Sequence, residues 1–411
     1  MLGARMSDDG GSGDLPPGEP RSPVPIPSGA DQMVRTLLKD GSMSADWLDA
    51  FMAVPRQDFL PAVFWARDGA TGLSTYVHQD HDPGAWEDYA ASPHTAIVTQ
   101  WDDGEHEGTQ PGDVPTSASS EPRLVAAYLR DACIGLPMRV LIVGTGTGWD
   151  TGLMSYRLGG ENVFSIEVDA AVADAARTRL LAKGLDPTVI TGDGSLGLSA
   201  GAPYDRVIMT AGVRAVSPAL LEQTRTGGLI LCPWGTHYSS ADALVRLTKL
   251  RGGSASGRFL RPVEFIRLRG QRIDWGQFVD RLLEDRPADA ITTTTALTLA
   301  GLGGRWSVER FVCGLAVRDC ACFASDSDGV DCAWFLSLSD ESWASCEFRQ
   351  GEPTRVYQSG PRRLVDDVEA ALGWWERQGR PPLDAFGLLV TPDGLQRPWL
   401  GDASNPVPVL N

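Results

Sequence analysis

The sequence predicts an α/β fold built on a doubly wound, mainly parallel sheet, with a helical and loop cap before it and an α+β domain after it. Three observations carry this. Residues 116 to 270 alternate helix-like and strand-like stretches, the pattern of repeated strand–helix–strand units. The run VLIVGTGTG, Val140 to Gly148, passes from continuous apolar residues into glycines at alternate positions. A buried parallel strand delivers its chain to a ligand-binding turn in this way. A chain of 411 residues with 42% hydrophobic content also exceeds what one compact core usually holds.

In chain order, residues 1–30 form a Gly/Pro/Ser-rich leader without the apolar core of a signal peptide, expected to be disordered. Residues 31–115 are expected as a helical cap and substrate loop. Within them MVRTLLKD and ADWLDAFMAV are helix-like, Pro55 ends the second, and Asp68 to Pro115 reads as long loop with one strand-like run, TAIVTQ. Residues 116–272 form the expected core, through EPRLVAAYLRDA, RVLIVG, WDTGLMSYRLG, NVFSIEV, AAVADAARTRLLAKG, PTVITGD, YDRVIMTA, PALLEQTR and GLILCPWG. Residues 273–411 read as α+β, with a helix near Asp274 to Leu283, strands carrying cysteines, a helix from Arg362 to Arg377, and a closing hairpin at Pro392, Asp393 and Gly394. Trp334, Trp343, Trp374, Trp375 and Trp399 fit either its core or a peptide-recognition groove.

Composition excludes several functions. A net charge of -17 argues against sequence-independent nucleic-acid binding. No segment approaches the roughly 20 apolar residues that span a bilayer, so a cytoplasmic location is expected. Cys313, Cys320, Cys322, Cys332 and Cys346 fall within 34 residues without a CxxC pair, and read as buried thiols before a metal site. His78, His81, His94 and His106 read as loop residues, so no metal is expected.

Ligands bind where strands end in such a sheet. Glu167 follows Gly144 by 23 residues at the end of the next strand, where a carboxylate holds ribose hydroxyls. Asp193 and Gly194 follow the third strand, and Thr210 ends the fourth. The turn is GTGTG and not GxGxxG, which favours S-adenosylmethionine over a dinucleotide. The cofactor-binding set is thus Gly144, Thr145, Gly146, Thr147, Gly148, Glu167, Val168, Asp193 and Gly194. Each has a plainer reading: the glycines as helix packing, Glu167 as a solvated strand end, and Asp193 as turn chemistry. Ser119 and Ser120 fit an N-cap for a helix starting at Pro122. Trp149 and Asp150 fit cofactor contact or packing.

The ordered series TSASSEPRLVAAYL, GTGTGWDTGLM, SIEVD, GDG, APYDRV and GGLILCP, preceded by AFMAVPRQDFLP with its VPR-x-x-F-x-P pattern, resembles the protein L-isoaspartyl O-methyltransferases over residues 47 to 235. The resemblance implies a class I, Rossmann-like methyltransferase that uses S-adenosylmethionine and releases S-adenosylhomocysteine. Ser119 and Ser120 match the family's substrate-contact motif and, with Thr210, are the catalytic candidates. The loop from Phe64 to Pro115, GRFLRPVEFIRLRGQR, and RRLVDDVEAALGWWERQGRPPLDAFGLLVTPDG resemble an actinobacterial subgroup associated with ribosomally synthesised modified peptides, graspetides and lanthipeptides among them. That implies a modified, macrocyclic precursor peptide as partner. Its aspartate would be methylated and passed through the ester to aspartimide or isoaspartate; the alternative is general isoaspartate repair. One departure stands out: Ile142 occupies a position where related methyltransferases carry an acid for the cofactor's ammonium. Asp150 or backbone carbonyls near Gly144 are the substitutes.

Overall fold

The computed structural model describes residues 28–69, 71–240, 242–278, 290–327 and 330–410. Residues 1–27 of the expected leader and 279–283 of the expected helix near Asp274 to Leu283 lie outside the described residues; Ser28 already begins a helix, and Trp275–Phe278 forms a 3-10 turn.

A nine-stranded sheet organises the chain. Its parallel half comprises β5 (Val140–Val143), β6 (Val163–Glu167), β7 (Thr188–Thr191), β8 (Tyr204–Met209) and β9 (Thr224–Trp234), and β5 lies between β6 and β8. The order therefore reverses at β5, and a crevice opens beyond the carboxyl ends of the strands there. The sheet continues antiparallel through β10 (Asp242–Lys249), β11 (Ala255–Val263), β17 (Phe386–Val390) and β18 (Gln396–Leu400). It is mixed, not mainly parallel. The hairpin at Pro392–Gly394 returns the chain to this sheet, so a boundary at 272/273 does not divide it.

Both faces of the sheet are covered, which explains the unbroken apolar run of β5. Val140 and Ile142 pack with Phe51, Val54, Trp149 and Leu153, in a layer shared by α1 (Ser28–Lys39), α2 (Leu48–Ala53), α4 (Pro122–Asp131) and α5 (Trp149–Leu158). Leu141 and Val143 face the other way, into a core that continues through Trp234, Phe259, Cys313 and Phe335. That second core joins the sheet to α8 (Val308–Ala316), α9 (Leu364–Arg377) and a five-stranded antiparallel sheet of order β12-β16-β15-β14-β13 (Ile291–Thr295, Thr354–Ser359, Trp343–Phe348, Val330–Ser337 and Cys320–Ser327). The five clustered cysteines are all buried. Trp375 and Trp399 are buried, while half-exposed Trp334 and Trp343 pair with each other at 6.3 Å.

The stretch expected as loop is instead a small sheet. β1 (Val63–Arg67), β2 (Ser74–His78), β3 (Ala96–Trp101) and β4 (Pro115–Ser119) form an antiparallel sheet of order β2-β1-β3-β4, with α3 (Pro83–Ala91) between its second and third strands. Trp65, Tyr76 and Trp101 gather on one face and Phe64, Val77, Trp86 and Ile97 on the other. Strands of five or six residues separated by Asp/Gly/Pro stretches fall below what periodicity resolves.

Phe386 is fully buried beside Trp374 in the continuous core. Phe386→Ala is expected to lower unfolding stability by about 3–5 kcal/mol, read from the urea midpoint.

Candidate active site

The turn after β5 has the geometry of a cradle. Gly144, Gly146 and Gly148 have φ of 99°, 53° and 92°, a region that L side chains rarely adopt. There is no space for one either, since a Cβ on Gly144 would lie 2.5 Å from Thr210 Oγ1 and one on Gly194 would lie 2.4 Å from Val143. The Thr145 and Gly146 N–H groups donate to Glu167 Oε2 at 3.1 and 2.9 Å, and Asp169 N donates to Oε1 at 3.2 Å. The strand-end acid is thus fixed against the turn.

This turn forms one wall of a cavity of about 430 Å³, within the size range of small-ligand sites. Gly144, Thr145, Gly146, Thr147, Glu167, Val168, Gly194 and Thr210 line it, and so do Ser119 and Ser120 across from them. Gly148 and Asp193 are not among its lining residues. Gly148 packs on Ala176 of α6 (Ala170–Ala182), and Asp193 accepts from Ser195 N at 2.8 Å in a local turn. Thr210 Oγ1 donates to the Gly144 carbonyl at 2.6 Å, so its proton serves the turn. Ser119 belongs to β4 and the N-cap of α4 is Glu121, so neither serine caps that helix.

Ser119 and Ser120 are held by Arg56, a residue to which sequence reasoning assigns no role. Arg56, 1% exposed, donates through Nη2 to the carbonyls of Thr95, Ser119 and Ser120 at 3.0, 2.9 and 3.0 Å, and through Nε to Ser119 Oγ at 3.0 Å. Its guanidinium also lies over the Trp149 ring, 5.8 Å from the centroid. Burial lowers its pKa to about 9, against the charges of Asp150 and Glu121. The signal was present in the VPR-x-x-F-x-P stretch, where Arg56 is the arginine. Asp150 lines the cavity and accepts from the Tyr128 hydroxyl. Burial pushes its carboxyl up to about 6, while Tyr128 and Arg56 pull down.

The segment after β11 closes the far side. Leu268 N donates to the Gly212 carbonyl at 2.9 Å, and Gly212 N to that of Ile266 at 2.8 Å, so the segment is stitched to the chain just beyond β8. Arg269 Nη2 reaches Asp103 Oδ1 at 2.8 Å and Asp169 Oδ2 at 3.4 Å, and Arg272 Nη1 reaches the same Asp103 oxygen at 3.0 Å. Arg267 pairs at 3.3 Å with fully buried Asp242, which Arg214 contacts at 2.7 Å. Burial raises the Asp242 carboxyl to about 7 in spite of Arg214.

The family model described as "Protein-L-isoaspartate(D-aspartate) O-methyltransferase (PCMT)" matches residues 105–273. The protein-L-isoaspartate O-methyltransferase of Pyrococcus abyssi is 35% identical over 164 residues, covering 39% of this chain and 75% of its own. The chain belongs to the protein-L-isoaspartate O-methyltransferase family. A relative of the same name from Methylorubrum extorquens is 30% identical over 253 residues, 61% of this chain and 93% of its own. A solved structure titled protein-L-isoaspartate O-methyltransferase superposes with a TM-score of 0.53 at 21% identity, covering 91% of this chain and all of its own. The shared fold therefore spans most of this methyltransferase. Among its described residues no helix is long and apolar enough to cross a membrane.

Two outcomes are expected. Gly144→Ala, which puts a methyl group against Thr210 Oγ1 at a positive φ, should abolish calorimetric binding of S-adenosylhomocysteine. Arg56→Lys keeps the charge but not the fork that serves four acceptors, and should lower stability by about 3 kcal/mol in denaturant titration.

Proposed function

We propose that this chain transfers a methyl group from S-adenosylmethionine to the free carboxylate of an isoaspartyl residue in a peptide or protein. The observation that carries the reading is the joining, in one cavity, of the glycine turn and Glu167 with the Ser119–Ser120 edge. The residues present fit the cofactor, because three glycines at positive φ leave the turn without side chains at alternate positions, allowing backbone to approach a ligand closely. Glu167, Val168 and Gly194 would hold the nucleoside part, and Gly144 to Thr147 the part that follows it. When bound, S-adenosylmethionine supplies a methyl group already activated on a sulfonium.

The acceptor carboxylate is ionised near neutral pH, so no general base is required. What the protein supplies is alignment. Ser119 Oγ accepts from Arg56 Nε, which leaves the serine's own O–H to donate to the acceptor, and Ser120 offers a second hydroxyl on the same wall. Both hydrogen-bond the carboxylate without placing a full charge on it. Arg56, Thr210 and Tyr128 act one step back, fixing the strand end, the turn and Asp150.

A second reading has ordinary aspartate in a pre-modified, macrocyclic peptide as acceptor. After esterification, the following backbone nitrogen attacks the ester carbonyl and methanol leaves, forming aspartimide; water then opens it to aspartate or isoaspartate. The observation that favours it is that Arg67, His94, Ala96 and Val98 line the cavity yet precede the residues matched by the family model. The C-terminal domain does not favour it, because the superposition with a structure titled as an L-isoaspartate enzyme extends over 91% of the chain.

Mass spectrometry of matched peptides tests both. Methylation of an isoaspartyl peptide and not of its aspartyl isomer is expected; methylation confined to a macrocyclic aspartyl peptide would select the second reading. Ser119→Ala and Ser120→Ala are each expected to lower kcat/KM by about tenfold to a hundredfold, the loss of one hydrogen bond to a charged group, with S-adenosylhomocysteine affinity unchanged.

A further inference from the structure

We propose that Asp150 binds the α-ammonium of the cofactor's amino-acid part, in place of the carboxylate that Ile142 does not provide. The inference rests on the reading that this cavity holds S-adenosylmethionine.

An ammonium taken out of water needs a charged or strongly polar acceptor. Ile142 offers none: it is fully buried among Val54, Trp149 and Leu153, on the face of β5 that meets the N-terminal helices. Four carboxylates line the cavity, namely Glu121, Asp150, Glu167 and Glu264. Glu167 has both oxygens engaged by backbone N–H groups on the β6 side of the turn. Glu264 is already paired with Arg305 and, at 3.7 Å, with Arg67. Glu121 directly follows Ser120 on the acceptor edge, and Arg123, His94 and Arg56 already act on its charge.

Asp150 differs from all three. It stands in the first turn of the helix that begins at the glycine turn, so its position follows that of the turn itself. Its partner is the Tyr128 hydroxyl, a neutral donor that favours the ionised form. No cation lies within ion-pair distance of it among the described residues, and Arg56 acts on it only from farther away. It is therefore an enclosed carboxylate that holds a hydroxyl donor and has no cation at contact among the described residues. It lines the same cavity as Glu167 and the two serines. Arg56, which bears on Asp150, holds the Ser119 and Ser120 carbonyls, whereas Glu167 lies beyond the turn. A ligand with its ribose at Glu167 and its methyl facing the serines brings its amino-acid end to Asp150.

The test is calorimetry with two ligands on the full chain, wild type and Asp150→Asn. S-adenosylhomocysteine carries the ammonium; 5′-methylthioadenosine keeps the nucleoside and thioether but lacks the amino-acid part. Asp150→Asn is expected to weaken S-adenosylhomocysteine by about tenfold or more, the scale of a charge-assisted hydrogen bond, and to leave 5′-methylthioadenosine unchanged. Retained binding of the second ligand also reports that the variant is folded. If the variant does not fold, Tyr128→Phe, which removes the donor to the carboxylate, is read in the same way. Unchanged S-adenosylhomocysteine affinity, or equal weakening of both ligands, would overturn the assignment. Failure of the wild type to bind either ligand would overturn the cofactor reading itself.

Discussion

A single buried cation, Arg56, ties the turn after α2 to the neighbouring ends of the paired strands β3 and β4. Arg56 leaves the short turn after α2, crosses to Thr95 just before β3, and holds the end of β4 through the carbonyls of Ser119 and Ser120. Burying a guanidinium is costly unless its donors are used. Here the acceptors are main-chain carbonyls at a strand end, where the ladder has stopped supplying donors. The same contacts set where the two serine residues stand, so the Ser119–Ser120 wall of the cavity depends on an arginine that does not line it.

The opposite wall depends on backbone and not on charge. Three successive positive-φ glycines let the chain turn tightly after β5, and the Glu167 carboxylate accepts the N–H groups the turn exposes. Thr210, from the neighbouring strand, binds the Gly144 carbonyl. The wall carrying the glycine turn is thus pre-formed by hydrogen bonds within the main sheet, while the Ser119–Ser120 wall is assembled from a separate small sheet and clamped by Arg56. An arginine-bearing segment, Arg267 to Arg272, bridges the two by reaching Asp103 on one and Asp169 on the other.

How legible this was in the sequence followed the range of the interactions. VLIVGTGTG was readable because its causes are local: burial on both faces makes β5 wholly apolar, and a positive φ calls for glycine. Glu167 was readable because a strand end fixes its distance from the turn. The small sheet was not, since β1 and β2 owe their existence to pairing with each other and to the Trp65–Tyr76–Trp101 cluster. Arg56 was visible as part of a pattern, but nothing in the pattern tells which carbonyls it meets 39 to 64 residues away. Ile142 was legible as a missing charge; that its side chain belongs to the N-terminal helical layer needed the packing. The return of the chain's last strands to the main sheet escaped for the same reason, because β17 pairs with β11 across more than a hundred residues.

That last pairing bears on how the molecule is made. During synthesis β11 is complete long before residues 386–400 leave the ribosome, and the five-stranded sheet lies between them in the chain. Until β17 arrives, β11 presents an open row of main-chain donors and acceptors at the rim of an otherwise finished domain, the surface on which chains pair wrongly with one another. Contacts of such sequence separation also form late and slowly. The last hairpin therefore works as a closing clasp on the nascent protein, and chains stopped short of it carry a sticky edge beside a nearly complete active site.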